Sequence, residues 1–220
     1  MASSVKVIAL TQLNRGQGVS TAAFFLGKSL TDQRAPVLLT DLIRNNTTLH
    51  RLKDSFGMRG MVLWTPRANQ ARNFGQMVAS ARIEVEGRAT CILLDVDHTF
   101  LERQQLERSR VDVDYLLIFS GPTEQDERNV DYYAQKFETL IQRRRIGIVF
   151  SKVDPADRNI LPQQTRTLNL PAIGALPADY FLAGVNDFGY SDGRLSALYQ
   201  TEIMTMARSL IQLVPIPRRS

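Results

Sequence analysis

The sequence predicts an α/β fold: a doubly wound, mainly parallel sheet with helices on both faces. Short, near-continuous aliphatic runs recur along the chain, and helix-length segments with apolar residues at three- and four-residue steps separate them. A glycine-containing turn follows the first run, as a strand-to-helix connection requires. At 220 residues and 44% hydrophobic, the chain can bury a proper core. No repeat, low-complexity stretch or Gly/Pro/Ser-rich linker divides it, so one domain over residues 1–220 is expected.

The elements follow in order. Val5–Leu10 reads as the first strand, and Ser20–Thr31 as the helix after the glycine turn. Val37–Thr40 and Cys91–Val96 are the next two runs, with a helix expected over Asn69–Glu84 between them. Tyr115–Ser120, a helix over Glu124–Gln142, and Ile146–Ser151 form a further strand–helix–strand unit. Ala172–Leu176 is the last strand, and Arg194–Leu213 the last helix. Val214-Pro215-Ile216-Pro217 ends that helix, because proline cannot continue it.

Composition sets further limits. The net charge is +5, and of 27 basic residues only five are lysine, leaving 22 arginines. Arginine's planar fork suits phosphate and carboxylate, so the balance points to nucleic acid, nucleotide or an anionic surface. Genomic codon bias produces the same excess. A single cysteine, Cys91, excludes an internal disulfide and a multi-thiolate zinc site, and its apolar setting reads as a buried, inert thiol. His50 and His98 have no second ligand at helical spacing. No run reaches the ~20 apolar residues of a membrane helix. Met1–Lys6 lacks a signal peptide's charged start and apolar core, so a cytoplasmic location is expected.

In open α/β sheets ligands sit beyond the carboxyl ends of the strands. After the first strand comes Thr11-Gln12-Leu13-Asn14-Arg15-Gly16-Gln17-Gly18-Val19-Ser20-Thr21, then a helix. Glycines let the backbone approach an anion, first-turn amides point at it, and Ser20 or Thr21 places a hydroxyl by a phosphate or Mg2+. The same pattern also fits a simple turn with Ser20 as the helix N-cap.

With these residues the sequence resembles the deviant-Walker P-loop ATPases that include the ParA and MinD positioning proteins. Their loop reads K-G-G-x-G-K-[ST]-T, against Asn14-Arg15-Gly16-Gln17-Gly18-Val19-Ser20-Thr21 here. Gly16, Gly18, Ser20 and Thr21 match. Val19 replaces the lysine that holds the β- and γ-phosphates, and Asn14 replaces the signature lysine. Val37–Leu49 resembles the family's second strand and first switch: Asp41 is retained, but Ile43 stands where a second acidic residue positions water. Ile92-Leu93-Leu94-Asp95 resembles the strand whose aspartate senses the γ-phosphate through magnesium, and Asp114–Ile118 the strand before the next helix. Gly147–Asp154 resembles the strand ending in a base-contacting loop, with Ser151-Lys152-Val153-Asp154 also similar to the guanine-reading loop of GTPases. Ala172–Asp179 resembles the family's G-x-[IL]-P-x-D segment. Six landmarks in order span Lys6 to about Gly189.

The resemblance implies ATP or ADP with Mg2+ as cofactor. It would be held by Arg15, Gly16, Gly18, Ser20, Thr21, Asp41, Asp95, Lys152 and Asp154, with Ser20 and Asp95 toward the metal. It also implies a homodimer, a protein partner, and non-specific DNA as a surface, for which Arg143-Arg144-Arg145 are the candidate contacts. Those arginines read equally well as cations complementing a helix C-terminus. The last helix implies docking on the sheet rather than membrane binding. The replacements at 19 and 43 remove charge stabilisation and water positioning, so the expectation is a positioning or partitioning protein with a slow or inactive nucleotide site. One alternative is an active ATPase using Arg15 as the substitute phosphate cation, with Lys28 one turn further into the helix. Another is a nucleotide-free scaffold in envelope, secretion or polysaccharide assembly. Asn46–Leu52 also resembles the exopolysaccharide tyrosine kinases, whose terminal tyrosine cluster this chain lacks.

Overall fold

A computed structural model of the chain describes residues 5–14, 16–41, 47–66, 74–106, 113–179 and 195–218. Seven strands form one sheet: β1 (Lys6–Gln12), β2 (Val37–Asp41), β3 (Met61–Trp64), β4 (Cys91–Asp95), β5 (Tyr115–Ser120), β6 (Ile146–Ser151) and β7 (Ala172–Leu176). Their order is β3-β2-β4-β1-β5-β6-β7, and every pairing is parallel. The helices are α1 (Val19–Asp32), α2 (Thr47–Phe56), α3 (Phe74–Glu84), α4 (His98–Leu106), α5 (Glu124–Phe137), α6 (Leu161–Leu168) and α7 (Ala197–Leu213). No helix among the described residues is long and apolar enough to cross a membrane.

Side-chain alternation divides the core into two layers. Ile8 and Leu10 join α1, α2 and α7 on one face, whereas Val7 and Ala9 join α3, α4, α5 and α6 on the other. Burial on both faces explains why β1, β4, β5 and β6 read as unbroken apolar runs. β3 was not expected: it is a four-residue edge strand with Val62 exposed, too short and too one-sided for such a run. α2, α4 and α6 were also not expected. α2 buries only Leu49 and Leu52 against the first layer, so most of its sequence is polar.

Boundaries differ where local chemistry decides them. α5 starts at a capping box, with the Thr123 hydroxyl accepting from the Asp126 amide and Asp126 reaching back to Thr123. It ends at Phe137, not Gln142, and Arg143–Arg145 form a separate 3-10 turn. The arginine run therefore does not close a helix, and the dipole argument for it falls. α7 is capped by Ser196, whose own amide donates to Asp179 at 2.8 Å. Its buried face (Tyr199, Ile203, Met206, Ala207, Leu210) packs on α1 and β7, and Val214 and Ile216 continue into the core. A Cβ on Gly174 would collide with the Met206 side chain, so glycine is what lets α7 approach β7. Burial, aided by Asp114, pushes the Cys91 thiol far above its ordinary range, which matches an inert core thiol.

Candidate phosphate-loop site

β1 and β4 are neighbours, yet the chain leaves β1 through α1 on one face and β4 through α4 on the other. β1 leads on toward β2, and β4 leads on toward β5 across the sheet. Such a topological switch point opens a crevice at the carboxyl ends, and the glycine loop lies beside it.

The loop is built from its two ends inward. Gly16 and Gly18 have φ of 81° and 76°, the left-handed region that glycine enters without a Cβ penalty. Gly18 is the N-cap of α1 and its carbonyl accepts from Ala22 at 2.9 Å. Ser20 therefore sits in the first helical turn and is not the N-cap. Gly18 offers no side chain to the helix end, and a Cβ there would meet no described residue within 4 Å, so among the described residues the space above the first turn is open. The positive end of the α1 dipole faces that space.

Two polar side chains on the α1 face of the sheet hold the loop down. Gln12 at the end of β1 accepts from the Gln17 amide at 3.2 Å through its Oε1. The Ser151 hydroxyl, at the end of β6, donates to Gln17 Oε1 at 2.6 Å. Asn14, at the signature-lysine position, donates to Asp126 Oδ1 at 3.0 Å and so ties the loop to the α5 capping box. The expectations above did not include Gln12, Gln17, Ser151 or Asp126. Their pairing spans up to 134 residues and follows from sheet register, which has no local sequence signal.

Val19 is 1% exposed and packs in the α1-side layer with Leu10 and Phe119. Its side chain packs in the core, so the position that the sequence resemblance aligns with a lysine holds an apolar anchor. Thr21, in the first turn of α1, is buried. Asp95 is fully buried at the end of β4, with Leu10 on one side and Asp41 on the other in register. β2 and β4 thus end on aspartates that are neighbours in register, and Asp95 shares the face of Leu93 and Cys91, on which α1 packs. The Thr11, Thr40 and Ser120 hydroxyls are buried at this same edge without a hydrogen-bond partner among the described residues.

Lys152 follows Ser151 with a left-handed φ of 58°, and its Nζ lies 3.8 Å from where a Cβ on Gly16 would be. Asp154 is exposed and caps the next 3-10 turn by accepting from the Ala156 amide at 2.8 Å. Arg15 and Ile43 lie outside the described residues, as does the side chain of Asp41.

Lys28 and the arginine run both lie away from the loop. Lys28, nine residues past Val19 and about 13 Å along the helix, donates to the Phe56 carbonyl at 2.9 Å and closes the end of α2. The arginine run lies at the amino end of β6, the opposite edge of the sheet from the loop. Arg143 is held there by Asp131, Glu138 and the Leu168 carbonyl, whereas Arg144 and Arg145 are exposed.

The residues present fit a phosphate group: open backbone turns, a helix N-terminus and a hydroxyl-bearing first turn. Among the described residues, no group of three or more His, Cys, Asp or Glu forms a protein-only metal site. A divalent ion here would need oxygens from the nucleotide itself.

No protein-family model matches the sequence, and no curated protein matches it. Solved structures do. MinD cell division protein of Aquifex aeolicus superposes with a TM-score of 0.71 at 19% identity, over 98% of this chain and all of that one. The MinC:MinD complex of the same organism matches at 0.69 and 17%, covering 98% and 99% of the two chains. A plasmid partition protein of Borrelia burgdorferi bound to AMPPNP matches at 0.72 and 13%, covering 96% and 100%. The all-parallel seven-stranded sheet, the glycine loop after β1 and these superpositions agree: the chain has the fold of the MinD and ParA P-loop ATPases.

Proposed function

We propose that the chain is a ParA/MinD-like positioning or partitioning protein. Its loop binds ATP or ADP with Mg2+ and turns the nucleotide over slowly or not at all. One observation carries the reading: Val19 is buried in the core where catalysis needs a mobile cation over the phosphates. Transition-state charge stabilisation is usually the largest catalytic term, so its loss costs several factors of ten in rate. Ile43 compounds it, because an alkyl side chain cannot orient water. Binding is a separate matter. Gly16–Thr21 supply amides and hydroxyls, and Ser20 with Asp95 would hold the Mg2+, which neutralises phosphate charge when bound.

Such a protein acts through assembly. The AMPPNP complex of the Borrelia partition protein and the MinC:MinD complex support nucleotide-linked self-association and a protein partner here. Non-specific DNA is the proposed surface, contacted by the exposed Arg144 and Arg145, while Arg143 holds the turn in place.

Calorimetry of the full chain with ATP, ADP and GTP, each with Mg2+, tests the reading. Saturable binding with background turnover is expected. Hydrolysis at rates typical of active ATPases, abolished by Thr21→Ala, would contradict it.

A further inference from the structure

We infer that Lys152 supplies a cation to this loop: its ammonium group neutralises the phosphates of a nucleotide seated on Gly16–Thr21, the task that Val19 cannot perform. The inference rests on the proposed nucleotide binding and adds the residue that makes it electrostatically workable.

Position comes first. Lys152 Nζ lies 3.8 Å from the point where a Cβ on Gly16 would stand, so the charge reaches the loop from β6, far away in sequence. The neighbours of Lys152 fix that approach. Ser151 and Val153 are buried, Ser151 bound to Gln17 and Val153 donating its amide to the Leu176 carbonyl at 3.0 Å. Between these anchors Lys152 alone is exposed and takes φ +58°. A lysine gains nothing locally from a left-handed backbone, and the anchors on either side hold it there. Here the kink leaves the side chain at the loop while both flanking residues stay in the core.

Availability comes second. Among the described residues no carboxylate lies within ion-pair distance of Lys152. The other lysines with assigned partners are committed elsewhere: Lys6 to Asp114, Lys28 to the end of α2, and Lys136 to Glu102. Glycine at 16 matters through its φ of 81°, and a Cβ there would stand in ordinary contact with the ammonium group. A lysine on the rim, and not inside the loop, neutralises ground-state phosphate charge without following the transferred γ-phosphate. Binding without turnover is the result.

The test is a titration of the full chain and of Lys152→Met and Lys152→Arg with ATP, ADP and AMP, each with Mg2+. Methionine keeps the stem and removes the charge. Lys152→Met should weaken ATP about 10- to 100-fold, with smaller losses for ADP and AMP, and Lys152→Arg should retain most of the ATP affinity. Unchanged ATP binding in Lys152→Met overturns the inference and leaves nucleotide binding at the loop intact. An equal loss for all three nucleotides also overturns it, since that marks a base or ribose contact. Absence of ATP binding by the unaltered chain overturns both this inference and the reading beneath it.

Discussion

Replacing Val19 with lysine returns a charge to the loop and removes a buried apolar side chain from the core, and the two effects have separate readouts. Val19 is 1% exposed, and full burial of a valine stabilises by roughly 1.5–3 kcal/mol relative to exposure. A lysine stem refills part of that volume while its ammonium group snorkels toward the open space over Gly18, so the expected loss is about 1–2 kcal/mol. For a domain of this size that lowers Tm by roughly 2–8 °C. Against it stands a charge-assisted contact to phosphate, worth about 1.5–3 kcal/mol, or about 10- to 150-fold in ATP affinity. Val19→Met is the control, with a similar change in bulk and no charge. Calorimetry and thermal unfolding of the three proteins should show both variants destabilised and only Val19→Lys binding ATP more tightly. Turnover should stay at background in Val19→Lys, because Ile43 still cannot position water. A folded Val19→Lys that binds ATP no better than Val19→Met would refute the claim that position 19 lies within reach of the phosphates.

Three further outcomes follow from the same contacts. Ser151→Ala removes the donor to Gln17 and should cost about 0.5–1.5 kcal/mol locally, read as roughly 3- to 10-fold faster amide hydrogen exchange over residues 16–19 with the rest of the sheet unchanged. If DNA is the surface, Arg144→Ala with Arg145→Ala should reduce the slope of log K against log salt by about 2 without changing Tm, whereas Arg143→Ala should lower Tm because Asp131, Glu138 and the Leu168 carbonyl lose their partner. Stability should fall as pH rises above about 9. The unfolded Cys91 thiol ionises from its ordinary value of 9.0 while the folded thiol keeps its proton, so the native state binds more protons there. The slope approaches ~1.4 kcal/mol per pH unit. Cys91→Ala should flatten the pH 9–10 segment of a denaturation series, and Tyr115, pushed up to about 12 by burial, adds to the decline above pH 10.

Much of this arrangement is legible in the residues themselves, for reasons that differ by element. β1, β4, β5 and β6 are buried on both faces, so their composition alone marks them. β3 escapes because an edge strand of four residues buries little, and α2 because it adds to the core little more than two leucines a turn apart and the half-buried Phe56. Gly16, Gly18, Ser20 and Thr21 are recognisable as a loop because their spacing is local. The clamp of Gln12, Gln17 and Ser151 is not, because it depends on which strands become neighbours and on which face each side chain leaves the sheet. Lys152 was visible as part of a base-contacting segment, yet its place over Gly16 comes from a single left-handed backbone angle. The arginine run shows the reverse. It looked like one surface feature, but Arg143 is structural and only its two neighbours are exposed.

The central claim is that this loop holds nucleotide and does not consume it, and single-turnover chemistry tests that most directly. Sub-stoichiometric ATP with Mg2+ is incubated with excess protein at concentrations that calorimetry shows to be saturating, and the nucleotide is recovered after hours. The account predicts ATP recovered intact from the protein, released on dilution and displaced by ADP. Conversion to ADP within minutes, lost in Thr21→Ala, would contradict it.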